Sequence, residues 1–198
     1  MTNITGKAYA MNTITPMKIR NTWIVRFFFF LFGLIKPLQS GLVNLSFIHF
    51  ARWVIIKHNQ FPHMSDQQPK EDLKYDYLLF FSNFNGTWNQ YIDAFSSVLS
   101  RDLNAVWGLC EKFPGAVPVT PFKQSIAALQ FQTDYYYTAY PYATTNDVKA
   151  AHRVETALNA FAAGNKDMSP EEFARAYRRL LLQVQSDLGA TGPAPVGT

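Results

Sequence analysis

Residues 75–95 read YDYLLFFSNFNGTWNQYIDAF, and a change of period inside this stretch decides the fold. From Tyr75 to Phe84 aromatic and aliphatic residues occupy both faces of an extended chain, the composition of a strand covered on each side. Asn85-Gly86-Thr87 then supplies a tight turn, with Asn85 or Thr87 able to cap a helix. Beyond it Trp88, Tyr91, Ile92, Phe95, Val98 and Leu99 recur at helical spacing, with Asn89, Gln90, Ser96 and Ser97 facing away. A strand feeding an amphipathic helix implies a sheet for that helix to pack on.

The strand's partner lies upstream, in FIHFARWVIIK at residues 47–57. One face carries Phe47, His49, Ala51, Trp53 and Ile55, the other Ile48, Phe50, Arg52, Val54 and Ile56. Both faces are mostly apolar. Downstream, Gly115–Val119 reads as a short edge strand and Thr120-Pro121 opens a helix to about Gln130. TDYYYTAYP, residues 133–141, reads as a further strand, and residues 144–163 as a longer helix. The box Ser169-Pro170-Glu171-Glu172 starts a last helix, with Phe173, Tyr177, Leu180, Leu181, Val184 and Leu188 on its apolar stripe.

This order is α+β and predicts a ferredoxin-like sheet with helices on one face. Helices on one face leave the other bare, so a twin sheet from a second copy, giving a homodimer of the dimeric α/β-barrel kind, is the economical cover. The terminal helices at 22–36 and 170–188 offer a cover within one chain. The organisation expected is an arm at 1–44 with a short aromatic helix, a core at 45–165, an amphipathic helix at 166–188 and a disordered tail at 189–198. Residues 1–20 show no sustained period and read as irregular.

The arm carries the most unusual composition. Trp23 to Ile35 is apolar except for Arg26 and Gly33, between Arg20 and Lys36-Pro37. A thirteen-residue helix reaches about 20 Å, short of the ~30 Å hydrocarbon core. The segment suits a helix lying in a membrane interface, a helix docked on the protein's own core or a partner, a signal peptide, or a strongly tilted span. On the first reading Trp23, Arg26, Phe27, Phe28, Phe30, Phe32 and Lys36 touch lipid, on the cytoplasmic side of the membrane; otherwise the protein is cytoplasmic.

With 48% hydrophobic residues and 16% aromatic, the chain has more apolar surface than an ordinary core needs, which points to an apolar pocket or a lipid or partner contact. The formal charge of +4 is concentrated at the ends and carries no nucleic-acid signature, so nucleic acid is not an expected partner. A lone cysteine, Cys110, leaves no intrachain disulfide and no cysteine metal cluster. There is no phosphate loop, nucleophile elbow, His-Glu-x-x-His or dinucleotide fingerprint.

The runs IHFARWVII (48–56) and LLFFSNFNGTWNQYIDAF (78–95) resemble those of uncharacterised bacterial proteins of ferredoxin-like architecture, a likeness that implies fold and no activity. A weaker resemblance is to the dye-decolourising peroxidases, whose haem face uses a Gly-x-x-Asp-Gly turn. Ser82-Asn83-Phe84-Asn85-Gly86 stands there, lacking the first glycine and the acid. That likeness implies a haem-dependent oxidoreductase; His152, on a helix among Ala151, Val154 and Glu155, suits an axial haem ligand or an ordinary exposed, hydrogen-bonded histidine. The candidate ligand-binding residues are His49, Arg52, Asn83, Asn85, Tyr137 and His152. His49 also suits a core position, and Arg52 an ion pair with Asp76 or Asp93. His58 and His63 stand in a loop without a metal-ligand companion.

Overall fold

Asp76–Asn85 forms the strand expected there, and it is flanked on both edges. The computed structural model describes residues 3–35, 45–164 and 168–189. Along the chain lie β1 (Ile4–Thr5), β2 (Ala8–Met17), α1 (Thr22–Leu34), β3 (Ile48–Ile56) and β4 (Asp76–Asn85). Then come α2 (Trp88–Val98), α3 (Ser100–Trp107), α4 (Val119–Leu129), β5 (Gln130–Phe131), α5 (Thr145–Gly164) and α6 (Pro170–Val184).

The five-stranded sheet has the order β1-β2-β4-β3, with β5 also on β2, and every pairing is antiparallel. Since β2 and β3 both oppose β4, they are parallel to each other, with α1 as their crossover. By the same argument β4 and β5 flank β2 in parallel, with α2, α3 and α4 between them. Two split β-α-β units thus interleave, the arrangement of a ferredoxin-like sheet. The fold is α+β, as the order of elements predicted.

The register separates the two faces. Tyr9, Met11, Thr13, Thr15 and Met17 of β2 stand opposite Phe84, Ser82, Phe80, Leu78 and Asp76 of β4, which in turn meet Ala51, Trp53 and Ile55 of β3. This row is the core. Helices close it with Val25 of α1, Tyr91, Ile92 and Phe95 of α2, Val106 and Trp107 of α3, and Phe122 of α4. Phe80 is its hub, its ring 5.0 Å from Trp53 and 5.3 Å from Trp107. Each large side chain so buried contributes about 1.5–3 kcal/mol. Thr87 caps α2 through a reciprocal box with Gln90, after the turn at Gly86, whose φ of 94° lies in the left-handed region that favours glycine.

Three expectations need correction. Residues 8–17 are not irregular: they form β2, an inner strand paired along its length with β4. Its core-facing row includes Thr13 and Thr15, fully buried, so the alternation of apolar with polar that marks a half-buried strand is blurred. The tyrosine run 133–141 is not a strand; pairing on β2 is made by Gln130–Phe131, just before it. Tyr135, Tyr137 and Tyr140 are exposed, and the run is fastened by scattered bonds instead. Asn12 Nδ2 donates to Thr133 Oγ1 at 2.8 Å, Asn83 Nδ2 to Tyr136 Oη at 2.7 Å, and Lys7 N to the Pro141 carbonyl at 2.9 Å. Gly115–Val119 forms no strand either; α4 begins at Val119.

α5 and α6 pair as a helical hairpin. Phe161 lies 5.3 Å from Phe173 and 6.0 Å from Tyr177, and Arg153 grips Asp187 at 2.6 Å. Ser169 and Glu172 make the capping box read from the sequence. Of the tail expected at 189–198, residues 190–198 lie outside the described residues.

Candidate functional site

α1 has two apolar sides with different fates. Thr22 and Val25 are buried, and Phe29 and Phe32 pack against the core, a stripe at helical spacing. Trp23, Phe27, Phe30 and Leu34 form a second stripe, and these are 69%, 51%, 64% and 67% exposed. A globular helix normally turns polar residues outward. Here the outward side offers an indole, two phenyl rings and a leucine, with Arg26 exposed among them. Phe28 is half-buried and stacks on Phe32 at 6.4 Å. Of the residues expected to touch lipid, Trp23, Arg26, Phe27 and Phe30 therefore share the open side, Phe32 faces inward, and Lys36 lies outside the described residues.

The start of α1 is latched to β4. Asn21 Nδ2 donates to the Leu109 carbonyl at 2.7 Å, and the Thr22 hydroxyl donates to Asp76 Oδ2. The other oxygen of that buried carboxylate accepts the His58 backbone amide at 2.7 Å and His58 Nδ1 at 2.8 Å. Burial alone pushes the Asp76 carboxyl up; the Thr22 hydroxyl and the His58 amide and imidazole outweigh it and hold the group below the usual carboxylate range. Beside this latch is a cleft of about 270 Å³ lined by Trp23, Arg26, Lys57 and His58 among others. Arg20, exposed just before α1, adds a further cation at this end.

Behind α1 lies an apolar cavity of about 370 Å³. Phe29, Phe32 and Gly33 wall it on one side, Trp53 of β3 on another, and Phe95, Leu103 and Trp107 of α2 and α3 close it. Among the described residues its one ionisable lining group is Asp102, half-buried. No described histidine or cysteine lines it, so the described lining offers haem iron no imidazole or thiolate ligand.

The sequence-predicted ligand residues scatter. His49 sits at a β-bulge between Ile48 and Phe50, its Nε2 buried without a partner; burial lowers its pKa and the Asn85 side chain partly restores it. Asn85 is spent on structure, donating to the Lys7 carbonyl at 2.8 Å and accepting from the Thr145 amide and hydroxyl at 3.0 and 2.9 Å. Asn83 likewise holds Tyr136. Arg52 is exposed, its guanidinium 4.8 Å from the centre of the Phe81 ring, while Asp93 pairs with Lys123 and Asp76 holds the latch. Tyr137 is exposed, and His152 sits on α5 beside Glu155 at 3.5 Å, both exposed. Cys110 is buried, its thiol pushed up to about 12 by burial and by Glu111, which suppresses the thiolate.

The latch and the cavity were not legible beforehand. Asp76 at the head of an apolar strand was the one signal for the latch, and its partners lie 54 and 18 residues away. Comparison with family models, with curated proteins and with solved structures found no match to this chain. No described helix is long and apolar enough to cross a membrane.

Proposed function

We propose that the chain is a membrane-surface-associated binding protein, attached through the outward side of α1 and holding an apolar small molecule in the cavity behind it. The observation that carries this reading is the exposed stripe Trp23, Phe27, Phe30 and Leu34 with cations at one end. An amphipathic helix with aromatic residues and Arg on its rim lies in the plane of an interface, its apolar side in the acyl boundary. At about 25 cal/mol per Å² of apolar surface, inserting this stripe supplies several kcal/mol, and each cation adds about 1 kcal/mol on anionic lipid. That favours the cytoplasmic side, where anionic lipid is concentrated.

A second surface supports a homodimer. The sheet face away from the helices carries Ile14, Leu79, Phe81 and Val54, with Phe50 72% exposed. Residues 131–145 reach this face at Asn12, Asn83 and Asn85, and the Phe131 ring lies 6.4 Å from that of Phe81. A broad apolar sheet face is suited to a second copy of itself.

Flotation of the full chain with liposomes tests the membrane reading. The wild type is expected to float with vesicles containing anionic lipid and less with neutral ones. Trp23→Ser combined with Phe27→Ser and Phe30→Ser is expected to lower partitioning by about two orders of magnitude or more. A triple variant that floats as well as the wild type would overturn the reading.

A further inference from the structure

We propose that the cavity behind α1 accepts one long alkyl or acyl chain with an uncharged hydroxyl head, the chemistry of a monoacylglycerol or a long-chain alcohol. The inference deepens the membrane-surface reading, which supplies the lipid, while the site itself stands on its own walls.

A volume of about 370 Å³ is near the lower end of the ~300–1,000 Å³ span of small-molecule sites, enough for one chain and small for a two-chain lipid. The walls are aromatic and aliphatic, so the occupant must be apolar over the buried length. Their placement ties the occupant to lipid. Phe29 and Phe32 line the cavity from the same helix whose opposite side carries Trp23, Phe27 and Phe30, so a molecule leaving the interface has one helix diameter to cross.

Gly33 marks the way in. It lines the cavity yet is exposed, and a Cβ added there would meet nothing within 4 Å among the described residues. Packing therefore does not require glycine. Inside a helix glycine is destabilising relative to alanine, and what it provides in return is an open rim. Asp102 sets the head group: a carboxylate side chain at the cavity accepts a hydrogen bond from a hydroxyl and disfavours a second carboxylate or a phosphate beside it. A neutral glyceride or alcohol fits this arrangement, and a fatty-acid anion does not.

The wall itself reports occupancy, since Trp53 and Trp107 belong to it. The experiment uses the full chain carrying Trp23→Phe, which removes the interfacial indole, and a monoacylglycerol with a dibrominated acyl chain below its micellar concentration. The expected result is saturable quenching of tryptophan emission at one probe per chain. The equivalent brominated fatty acid at neutral pH is expected to bind about tenfold more weakly or worse, and Asp102→Asn to close that gap. Gly33→Leu is expected to weaken probe binding at least tenfold with its melting temperature unchanged or raised. Should that variant fail to fold, Leu99→Phe narrows the cavity from the facing wall and carries the same expectation. Absent or unsaturable quenching, a folded Gly33→Leu that binds like the parent, or a fatty acid that binds as tightly as the glyceride would overturn the proposal. Because no vesicle is present, these outcomes are independent of whether α1 holds a membrane.

Discussion

Two apolar surfaces stand open on this molecule, and they differ in shape and in charge. The outward side of α1 is a convex ridge of Trp23, Phe27, Phe30 and Leu34 with Arg26 among its side chains and Lys57 beside it. The far face of the sheet is broad, with Ile14, Leu79, Phe50 and Val54 spread over three neighbouring strands, and its Arg52 guanidinium lies over Phe81. Exposed apolar area alone would assign both to the same kind of partner. Shape and charge separate them. A ridge whose cations make no ion pair among the described residues suits a lipid interface, whereas a broad sheet face whose cation rests on a ring suits a second protein surface.

The largest effect expected beyond flotation falls on the sheet face. Phe50→Lys with Val54→Lys puts like charges on the β3 side of the face, and a dimer held there is expected to weaken by at least about 2 kcal/mol, or roughly thirtyfold in Kd. Light scattering at decreasing concentration reads this, and flotation should not change. A variant that also lost vesicle binding would merge the two surfaces into one. A wild type that is monomeric at every concentration would remove the dimer.

A smaller effect is expected at the latch between α1 and β4. Asp76→Asn keeps the shape but gives the Thr22 hydroxyl and the His58 amide a weaker acceptor, so a loss of about 1–3 kcal/mol follows. The sign of its pH dependence is set by the lowered carboxyl. A group whose folded pKa lies below its unfolded value of about 3.9 contributes stability that is present above that value and lost as pH falls through the folded pKa. Wild-type denaturation midpoints should thus drop in acid more steeply than those of Asp76→Asn. Parallel acid profiles would show that the carboxylate is not what pins α1.

The smallest effect is on stability at the ridge. Trp23→Ser, Phe27→Ser and Phe30→Ser should each move the unfolding free energy by no more than about 0.5 kcal/mol, because these side chains are exposed. A loss of 2 kcal/mol at any of them in urea titration would mean that the ridge packs on protein.

What could be read in advance follows from where the information sits. β3 and β4 were legible as short runs rich in aromatic and aliphatic residues, and α2 because its apolar residues keep a period of 3.6, with Gly86 marking the change from β4 to α2. β2 was not, because its core row spends Thr13 and Thr15 where aliphatic residues are customary. The tyrosine run misled in the opposite direction: its composition is that of a strand, yet its backbone finds no ladder and Tyr135, Tyr137 and Tyr140 stay in solvent. At the site, the amphipathic danger of α1 was visible, but not which aromatic residues turn inward, since an apolar helix on all sides has no phase to read. Latch and cavity join residues far apart in the chain, and local patterns carry no such information.

The most direct test places a reporter on each surface. Cys110 is buried with its thiol pushed up to about 12, so a cysteine introduced at the surface can be labelled selectively. An environment-sensitive nitrobenzoxadiazole dye is attached at Phe30→Cys on the ridge or at Phe50→Cys on the sheet face, and anionic vesicles are added to each protein. A blue-shifted, intensified emission is expected for the label at position 30 and no change at position 50. An unchanged spectrum at position 30, or the same shift at both positions, would contradict attachment through α1.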